Sequence, residues 1–172
     1  MYNVTVARTL NAPLDAVWES WADFGNVAVW HPLVAHSKLL GDPAEAVQVG
    51  SRRQCDLADG KNWVREEIVE MQQDRRIGIK LYEGTMPLKT ALATVAFGTP
   101  DAARTRVHLS MDFEPKFGLL GRLMAPMIKR QFKRMFAEIL AANERHVSGA
   151  TDRANDKPAA APAVDGQLLA GR

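Results

Sequence analysis

The residues of this 172-residue chain best suited to chemistry are His31, Arg53, Cys55 and Glu66. His31 precedes Pro32 in a predicted loop, and an imidazole titrates near neutral pH, so it is a candidate general acid or base. Arg53 and Glu66 fall on the apolar faces of two neighbouring predicted strands. Because an isolated charge among apolar groups is very costly, we expect these two residues to form an ion pair across the strands.

Each candidate has a structural interpretation beside the functional one. The Arg53–Glu66 pair is either a salt bridge of the core or a polar contact for a bound ligand. His31 is either a cap on the turn beside Pro32 or a proton carrier. Cys55 has no evident histidine partner, which favours an inert buried thiol over a nucleophile.

Metal and phosphate chemistry find little support in the residue pattern. The histidines His31, His36, His108 and His146 have no zinc-like spacing with Cys55. The sequence contains no Gly-rich phosphate loop and no nucleophile elbow. We therefore predict neither a metal nor a cofactor.

The composition is that of an ordinary soluble domain, with 47% hydrophobic and 24% charged residues. No apolar run approaches the roughly 20 residues that span a bilayer, and the alternating polarity of the first residues predicts no signal peptide. A single cysteine allows no internal disulfide, so we expect a cytoplasmic location. The net charge of +2 does not suggest nucleic-acid binding.

Alternating polarity between turn signals predicts a curved sheet of seven antiparallel strands. Asp59-Gly60 is a strong hairpin signal between two of them. Two short helices are predicted after the first strand, the first of them from the spacing of Leu14, Val17, Trp18 and Trp21. The predicted strands are 3–11, 34–40, 48–57, 61–71, 75–82, 88–97 and 104–113.

A long helix is predicted for Gly118–Val147, where apolar residues recur at spacings of three and four. Its apolar stripe requires a concave apolar partner, which one face of the sheet provides. Between Lys116 and Val147 there are seven Lys or Arg and two Glu. This bias indicates either a solvated helix face or weak attraction to an anionic membrane surface or ligand.

The composition changes after Val147. Ser148–Arg172 is rich in Ala, Pro, Asp and Gly, with few large apolar residues to offset the entropy of ordering. We therefore predict one domain over residues 1–147 and a disordered tail over 148–172.

The element order of strand, two short helices, six strands and a long helix is accompanied by several local motifs. These are Ala12-Pro13 with Val17-Trp18, Asp23-Phe24 before Trp30-His31-Pro32, Gly50-Ser51-Arg52-Arg53, Asp59-Gly60 with Glu66, Met86-Pro87 and Thr105-Arg106-Val107. Over residues 2–147 the sequence resembles the START-like or birch-pollen-allergen-like superfamily, and within it the bacterial polyketide cyclase/dehydrase and lipid-transport family. The resemblance implies an α+β helix-grip fold with an elongated cavity between sheet and long helix. It does not imply a shared catalytic set.

The favoured functional interpretation is a cytoplasmic binder or carrier of a hydrophobic small molecule of the lipid, quinone or aromatic polyketide type, as a monomer or homodimer. The alternative is an aromatase/cyclase-like enzyme in which Arg53 polarises a carbonyl and Glu66 or His31 moves protons. A third is a partner-binding module that uses the outer sheet face. The residues predicted to bind the ligand are Trp30, Arg53, Cys55, Glu66, Ile79, Leu81, Ala91, Ala93, Leu109, Met111, Met124, Ile128 and Phe132.

Two features bear on the size of the cavity and access to it. Ala91 and Ala93 are small for an inward position, so either the helix packs closer there or the cavity is larger. Glu83–Leu88 and the second short helix are predicted to gate binding.

Overall fold

The computed structural model of the protein describes residues 1–42, 44–116 and 118–155, with no side chains for 118–125 and 150–155. In these ranges the chain forms one antiparallel sheet, two short helices and one long helix. The strands are β1 (Tyr2–Leu10), β2 (Val34–Leu40), β3 (Arg52–Leu57), β4 (Trp63–Gln72), β5 (Arg76–Gly84), β6 (Leu88–Asp101) and β7 (Arg104–Pro115). The helices are α1 (Leu14–Ala22), a 3₁₀ helix (Phe24–Val29) and α2 (Gly118–Asn155).

The sheet order is β1-β7-β6-β5-β4-β3-β2. The first strand, β1, therefore pairs with the last strand, β7, and the other neighbouring strands are consecutive in the chain. Neighbouring strands are antiparallel throughout. The two short helices follow β1, and α2 follows β7 and packs back on β1, β7 and α1. The predicted helix-grip fold with seven strands is confirmed.

The third strand begins later than predicted, at Arg52 rather than Gln48. Gly50 adopts a φ of 93°, a left-handed conformation that glycine accepts without steric penalty. The backbone N–H of Ser51 donates to the Gln48 carbonyl at 3.0 Å, and the Gln48 N–H donates to the Ser51 hydroxyl at 2.9 Å. These bonds close a turn immediately before β3.

The hairpin between β3 and β4 forms at the predicted turn. Gly60 has a φ of 69°. The Asp59 carboxylate accepts the backbone N–H groups of Lys61 and Asn62, each at 2.9 Å. An aspartate side chain that satisfies the donors of its own turn fixes the loop geometry, which also sets the β3–β4 register.

The concave face of the sheet is apolar, as the alternation predicted. Its side chains with at most 2% exposure include Val4, Ile68, Ile77, Val95, Val107 and Phe113. Fully burying one such side chain contributes roughly 1.5–3 kcal/mol. The opposite face carries charged side chains, for example Arg52 paired with Glu67 at 2.9 Å.

Helix α2 covers this concave face with Phe132, Phe136, Ile139 and Leu140. The Phe132 ring meets Phe113 of β7 edge to face, with 5.0 Å between ring centroids. The helix continues past Val147 to Asn155, so the first part of the predicted tail is helical. Residues 156–172 lie outside the described ranges, and the disordered tail stays a prediction. No helix in the described ranges is long and apolar enough to cross a bilayer.

Helix α2 is also tied to the end of β1 by polar contacts. Glu144 accepts the Arg8 Nε–H at 2.7 Å and the Asn11 side-chain N–H at 3.2 Å. Because these contacts join residues far apart in sequence, they set where the helix lies along the sheet.

Candidate functional site

The interior between the sheet and α2 is not completely filled. A cavity of about 130 Å³ lies there, bounded by the concave faces of β3 to β7, by α1 and the 3₁₀ helix, and by α2. Its wall is mostly apolar and includes three methionines, Met86, Met111 and Met135. A thioether side chain adapts easily to changes of shape, so these residues allow the cavity to enlarge around a guest.

The polar exception in this wall is the ion pair of Arg53 and Glu66. The two residues face each other across β3 and β4, and the Arg53 Nε–H donates to Glu66 Oε2 at 2.6 Å. Arg53 Nη1 donates to the Phe24 carbonyl at 2.8 Å, and its guanidinium lies over the Phe24 ring at 4.0 Å. Arg53 is 7% exposed. The expected ion pair is confirmed, and it is held by the 3₁₀ helix as well as by the sheet.

The ion pair retains hydrogen-bonding capacity. A guanidinium has five N–H donors, and the bonds to Glu66 and Phe24 use two of them. The contacts of the Glu66 carboxylate with described residues go to Oε2, from Arg53 and weakly from the Cys55 thiol at 3.8 Å. Both residues line the cavity, so a charged donor and a charged acceptor are available to a molecule inside it.

His31 lines the same cavity. Burial, and to a lesser degree the positive charge of Arg53, lowers the pKa of His31 from 6.5 to about 4. Its imidazole is therefore neutral at pH 7. The Leu33 backbone N–H donates to Nδ1 at 3.3 Å, which places the ring proton on Nε2.

Cys55 also lines the cavity and is 1% exposed. Burial raises the pKa of its thiol to about 11, against the smaller opposite effect of the Arg53 charge. The thiol stays protonated at neutral pH and is a poor nucleophile. These observations favour the interpretation of Cys55 as an inert wall residue.

Several residues predicted to bind a ligand lie in the cavity wall. From the sheet these are Arg53, Cys55, Glu66, Ile79, Leu81, Ala93, Leu109 and Met111, and His31 joins them from the loop before β2. All eight sheet residues came from the alternation of inward and outward positions. Their role toward a ligand stays a prediction.

Other predicted residues do not line the cavity. Trp30 is buried against Trp21, and its indole N–H donates to the Ser20 carbonyl at 3.0 Å, so it packs the short helices together. Ala91 faces a separate hollow at the sheet rim. Phe132 packs on Phe113 and Phe136, and Ile128 packs against the core. The Met124 side chain lies outside the described residues.

The prediction missed the cavity residues that helices and loops contribute. These are Trp21, Val27, Leu33, Met86, Met135, Phe136 and Ile139. Four strand residues of the wall were not predicted either, namely Val34, Leu57, Val64 and Val95. Met135, Phe136 and Ile139 belong to the apolar stripe of α2, but the prediction chose residues nearer the start of the helix. The periodicity of a helix indicates which side faces inward and carries no signal for its axial position.

Trp21 is held in the cavity wall by a buried polar network. Its indole N–H donates to Asn143 Oδ1 at 3.1 Å, and Asn143 Nδ2 donates to the Ser20 hydroxyl at 2.8 Å. Asn143 is fully buried on α2. The network therefore joins α1 to α2 beside the cavity and orients one of its aromatic side chains.

A second hollow, of about 250 Å³, adjoins the cavity at the rim of the sheet. Val64, Leu81 and Met86 line both spaces, so these side chains form the partition between them. Met86 belongs to the loop between β5 and β6, within the segment Glu83–Leu88 that was predicted to gate binding.

The described residues contain no cluster of three or more His, Cys, Asp or Glu side chains arranged to hold a metal ion. Within the cavity, Arg53, Glu66 and His31 provide hydrogen-bonding groups in an apolar enclosure.

The curved sheet, the covering helix and the cavity between them define a START-like domain. The chain belongs to the polyketide cyclase / dehydrase and lipid transport family, whose match extends over residues 1–148. No curated protein sequence matches the chain.

Solved structures with the same fold come from bacteria and from a plant. A START superfamily protein of Mycobacterium smegmatis is 15% identical, with a TM-score of 0.73 over 87% of this chain and 99% of that one. The Zhui aromatase/cyclase of a Streptomyces species is 20% identical, with a TM-score of 0.72 over 87% and 95% of the two chains. The major latex-like protein 151 of Panax ginseng is 18% identical, with a TM-score of 0.64 over 84% and 96%. At such low identity the likeness shows the fold alone.

Proposed function

We propose that the protein binds a small hydrophobic molecule that contains an aromatic ring and a carbonyl group, as quinones and aromatic polyketides do. The observation that carries this proposal is the Arg53–Glu66 pair, which presents charged hydrogen-bonding groups in an otherwise apolar cavity. A ketone oxygen that accepts an Arg53 N–H inside such an enclosure gains a charge-assisted bond away from water.

The volume favours a ring compound over a long-chain lipid. A cavity of about 130 Å³ is close to the roughly 150 Å³ apolar cavity that holds benzene, and pockets for larger ligands measure roughly 300–1,000 Å³. A single ring fits with little rearrangement. A larger guest requires the methionines of the wall to move.

A matched pair of probes tests the proposal. Acetophenone and ethylbenzene have nearly the same shape, and only acetophenone has a carbonyl oxygen. We expect the protein to bind both and to prefer acetophenone, as measured by calorimetry and by the change in tryptophan fluorescence. Arg53→Met should weaken acetophenone binding by roughly 10- to 100-fold, the equivalent of a hydrogen bond to a charged group, and change ethylbenzene binding little.

The control variant is Leu92→Ala, which truncates an exposed apolar residue of the sheet and should leave both affinities unchanged. Circular dichroism establishes that each variant is folded. If neither probe binds the wild-type protein, and organic extracts of the protein purified from its host contain no aromatic compound, the proposal is wrong.

A second candidate function is catalysis of aldol cyclisation and dehydration on a poly-β-ketone chain, as an aromatase/cyclase performs. The observation in its favour is that neutral His31 shares the cavity with Arg53 and Glu66. In this scheme Arg53 polarises a ketone, and the Glu66 carboxylate removes a proton from the adjacent carbon. The enolate carbon then forms a C–C bond to a second ketone of the chain, whose oxygen becomes an alkoxide stabilised by the Nε2–H of His31 and protonated by Glu66. Glu66 removes a further proton from the same carbon as the new hydroxyl leaves, so the ring closes with loss of one water.

The test is the product distribution from a poly-β-keto thioester generated in the presence of the protein. An enzyme shifts the products toward one ring pattern, and Glu66→Gln abolishes the shift while the variant still binds acetophenone. A product distribution identical with and without the wild-type protein would exclude this function and leave the binding proposal intact.

A further inference from the structure

A cluster of positive charge lies on the first half of α2, away from the cavity. We define the basic face as Lys129, Arg130, Lys133 and Arg134. The seven ion pairs among the described residues all take their cation from a strand. The basic face contributes to none of them, although Glu138 lies one turn beyond Arg134 on the same helix. Its charge is therefore not neutralised within the described part of the molecule.

The basic face borders a groove against the edge of the sheet. Lys129, Arg130 and Lys133 line a groove of about 460 Å³ together with Pro126 and with Asn3, Val4 and Thr5 of β1. The Lys129 ammonium also lies 5.9 Å from the centroid of the Tyr2 ring. No carboxylate of the described residues lines this groove, so its electrostatic potential favours an anion.

An exposed apolar side chain accompanies the cations. Met127 is 59% exposed and precedes Arg130 by three residues and Arg134 by seven, so the three side chains lie on one side of the helix. The opposite side of the same turns carries Phe132 and Phe136 into the core. A cluster of four basic residues on a helix is attracted to anionic headgroups, and Met127 is the exposed apolar side chain beside it.

We propose that the basic face of α2, with Met127, docks the protein on anionic membrane surfaces. The cations contact the headgroup phosphates and carboxylates, and Met127 enters the boundary between headgroups and acyl chains. A single-stranded nucleic acid is a less suitable partner, because unpaired bases stack on exposed aromatic rings, whereas the exposed apolar side chain among the cations of α2 is Met127. The proposal goes beyond the proposed binding function, since it concerns a different surface.

The experiment measures sedimentation of the full chain with vesicles of phosphatidylcholine alone and with about one third phosphatidylserine. We expect binding to the anionic vesicles only, and binding that weakens as salt screens the charges. The variant Lys129→Gln/Arg130→Gln/Lys133→Gln/Arg134→Gln should lose roughly several hundredfold in affinity, since each of the four basic residues near such a surface contributes roughly fivefold. Met127→Ser should weaken binding severalfold.

The matched control removes the same number and kinds of charge elsewhere, in the variant Lys38→Gln/Arg75→Gln/Lys80→Gln/Arg106→Gln. These four residues are exposed and belong to no ion pair of the described residues. The control changes the net charge by the same amount, so it should bind anionic vesicles within about threefold of the wild-type affinity. Its affinity should be far higher than that of the basic-face variant.

Three results would overturn the proposal. They are no binding of the wild-type chain to anionic vesicles, equal loss in the two quadruple variants, or tight binding to a single-stranded oligonucleotide that depends on the basic face while vesicles are ignored. Acetophenone binding by the basic-face variant without vesicles reports on the cavity separately. Failure of the membrane proposal is thus distinguishable from failure of the proposed binding function.

Discussion

Replacing the buried ion pair by apolar side chains, first singly and then together, separates its contribution to stability from its contribution to binding. The side chains of Arg53 and Glu66 are 9% and 13% exposed, so removing either one leaves a nearly buried charge without its partner. Breaking a buried pair in this way costs about 3 kcal/mol or more, whereas replacing both partners by apolar groups is often neutral.

The structure allows the magnitudes to be worked out for each variant. Glu66→Leu removes the counter-charge of Arg53 and should cost about 3 kcal/mol. Arg53→Met should cost about 3 kcal/mol for the charge and roughly 2 kcal/mol more, because the Phe24 carbonyl loses its donor and the Phe24 ring loses the guanidinium above it. The double variant should lose only the roughly 2 kcal/mol that the contacts of Arg53 with Phe24 contribute.

The assay is urea unfolding at pH 7 of the wild-type protein, the two single variants and the double variant. We expect the double variant to be more stable than either single variant, although it has lost both side chains. Acetophenone should stabilise the wild-type protein against urea more than it stabilises the double variant, since only the wild-type protein can donate a hydrogen bond from Arg53 to the carbonyl. If the double variant loses as much free energy of unfolding as the sum of the singles, the two charges are not coupled and the reasoning fails.

Three further predictions rest on single residues, and a fourth on the loop segment Glu83–Leu88. Because burial and the Arg53 charge lower the pKa of His31 from 6.5 to about 4, the unfolded chain binds more protons between these pH values. The free energy of unfolding should therefore fall by up to about 3 kcal/mol as the pH drops through this window. His31→Asn should remove this part of the pH dependence, as measured by urea titrations at stepped pH. The Cys55 thiol, whose pKa burial raises to about 11, should react with a disulfide reagent only as fast as the protein opens. Asn143→Ala should lower the free energy of unfolding by roughly 2–3 kcal/mol, because it leaves the Trp21 indole N–H without an acceptor. Hydrogen exchange should be faster in Glu83–Leu88 than in the centre of β5, and a bound ligand should slow it.

Each of these predictions has an outcome that contradicts it. An unchanged pH profile in His31→Asn would mean that the wild-type dependence arises from other groups. Rapid labelling of Cys55 in the native protein would mean that the cavity is open to solvent. A loss below about 0.5 kcal/mol in Asn143→Ala would make the buried network unimportant. Equal exchange in Glu83–Leu88 and the centre of β5, with or without ligand, would exclude the gate.

Most of the sheet was predictable, and with it the polar centre of the site. Alternation placed Arg53 and Glu66 on the inward faces of adjacent strands, and the high cost of a buried charge then required them to pair. The contact of Arg53 with the Phe24 carbonyl was not predicted. It joins a strand to a 3₁₀ helix 29 residues earlier in the chain, and no local pattern reports such a distance.

The aromatic residues of the short helices show the same limit. Trp21 and Trp30 both occur in apolar patterns, and Trp30 was expected in the cavity wall. The structure places Trp21 there instead, because Asn143 of α2 holds its indole N–H, while the Trp30 N–H is taken by the Ser20 carbonyl. Which ring faces the cavity depends on where each polar N–H finds its acceptor.

The amino-acid sequence by itself determined the element order, the inward faces of the strands, the apolar stripe of α2 and the basic residues on its other side. These follow from periods of two and 3.6 residues and from turn chemistry, which are local properties of the chain. Only the tertiary structure decided that the cavity lies beside Met135, Phe136 and Ile139, that its volume is about 130 Å³, and that Trp21 lines it. The physical reason is that the position of the helix along the sheet is set by contacts such as Glu144 with Arg8 and Asn143 with Trp21, between residues more than a hundred positions apart.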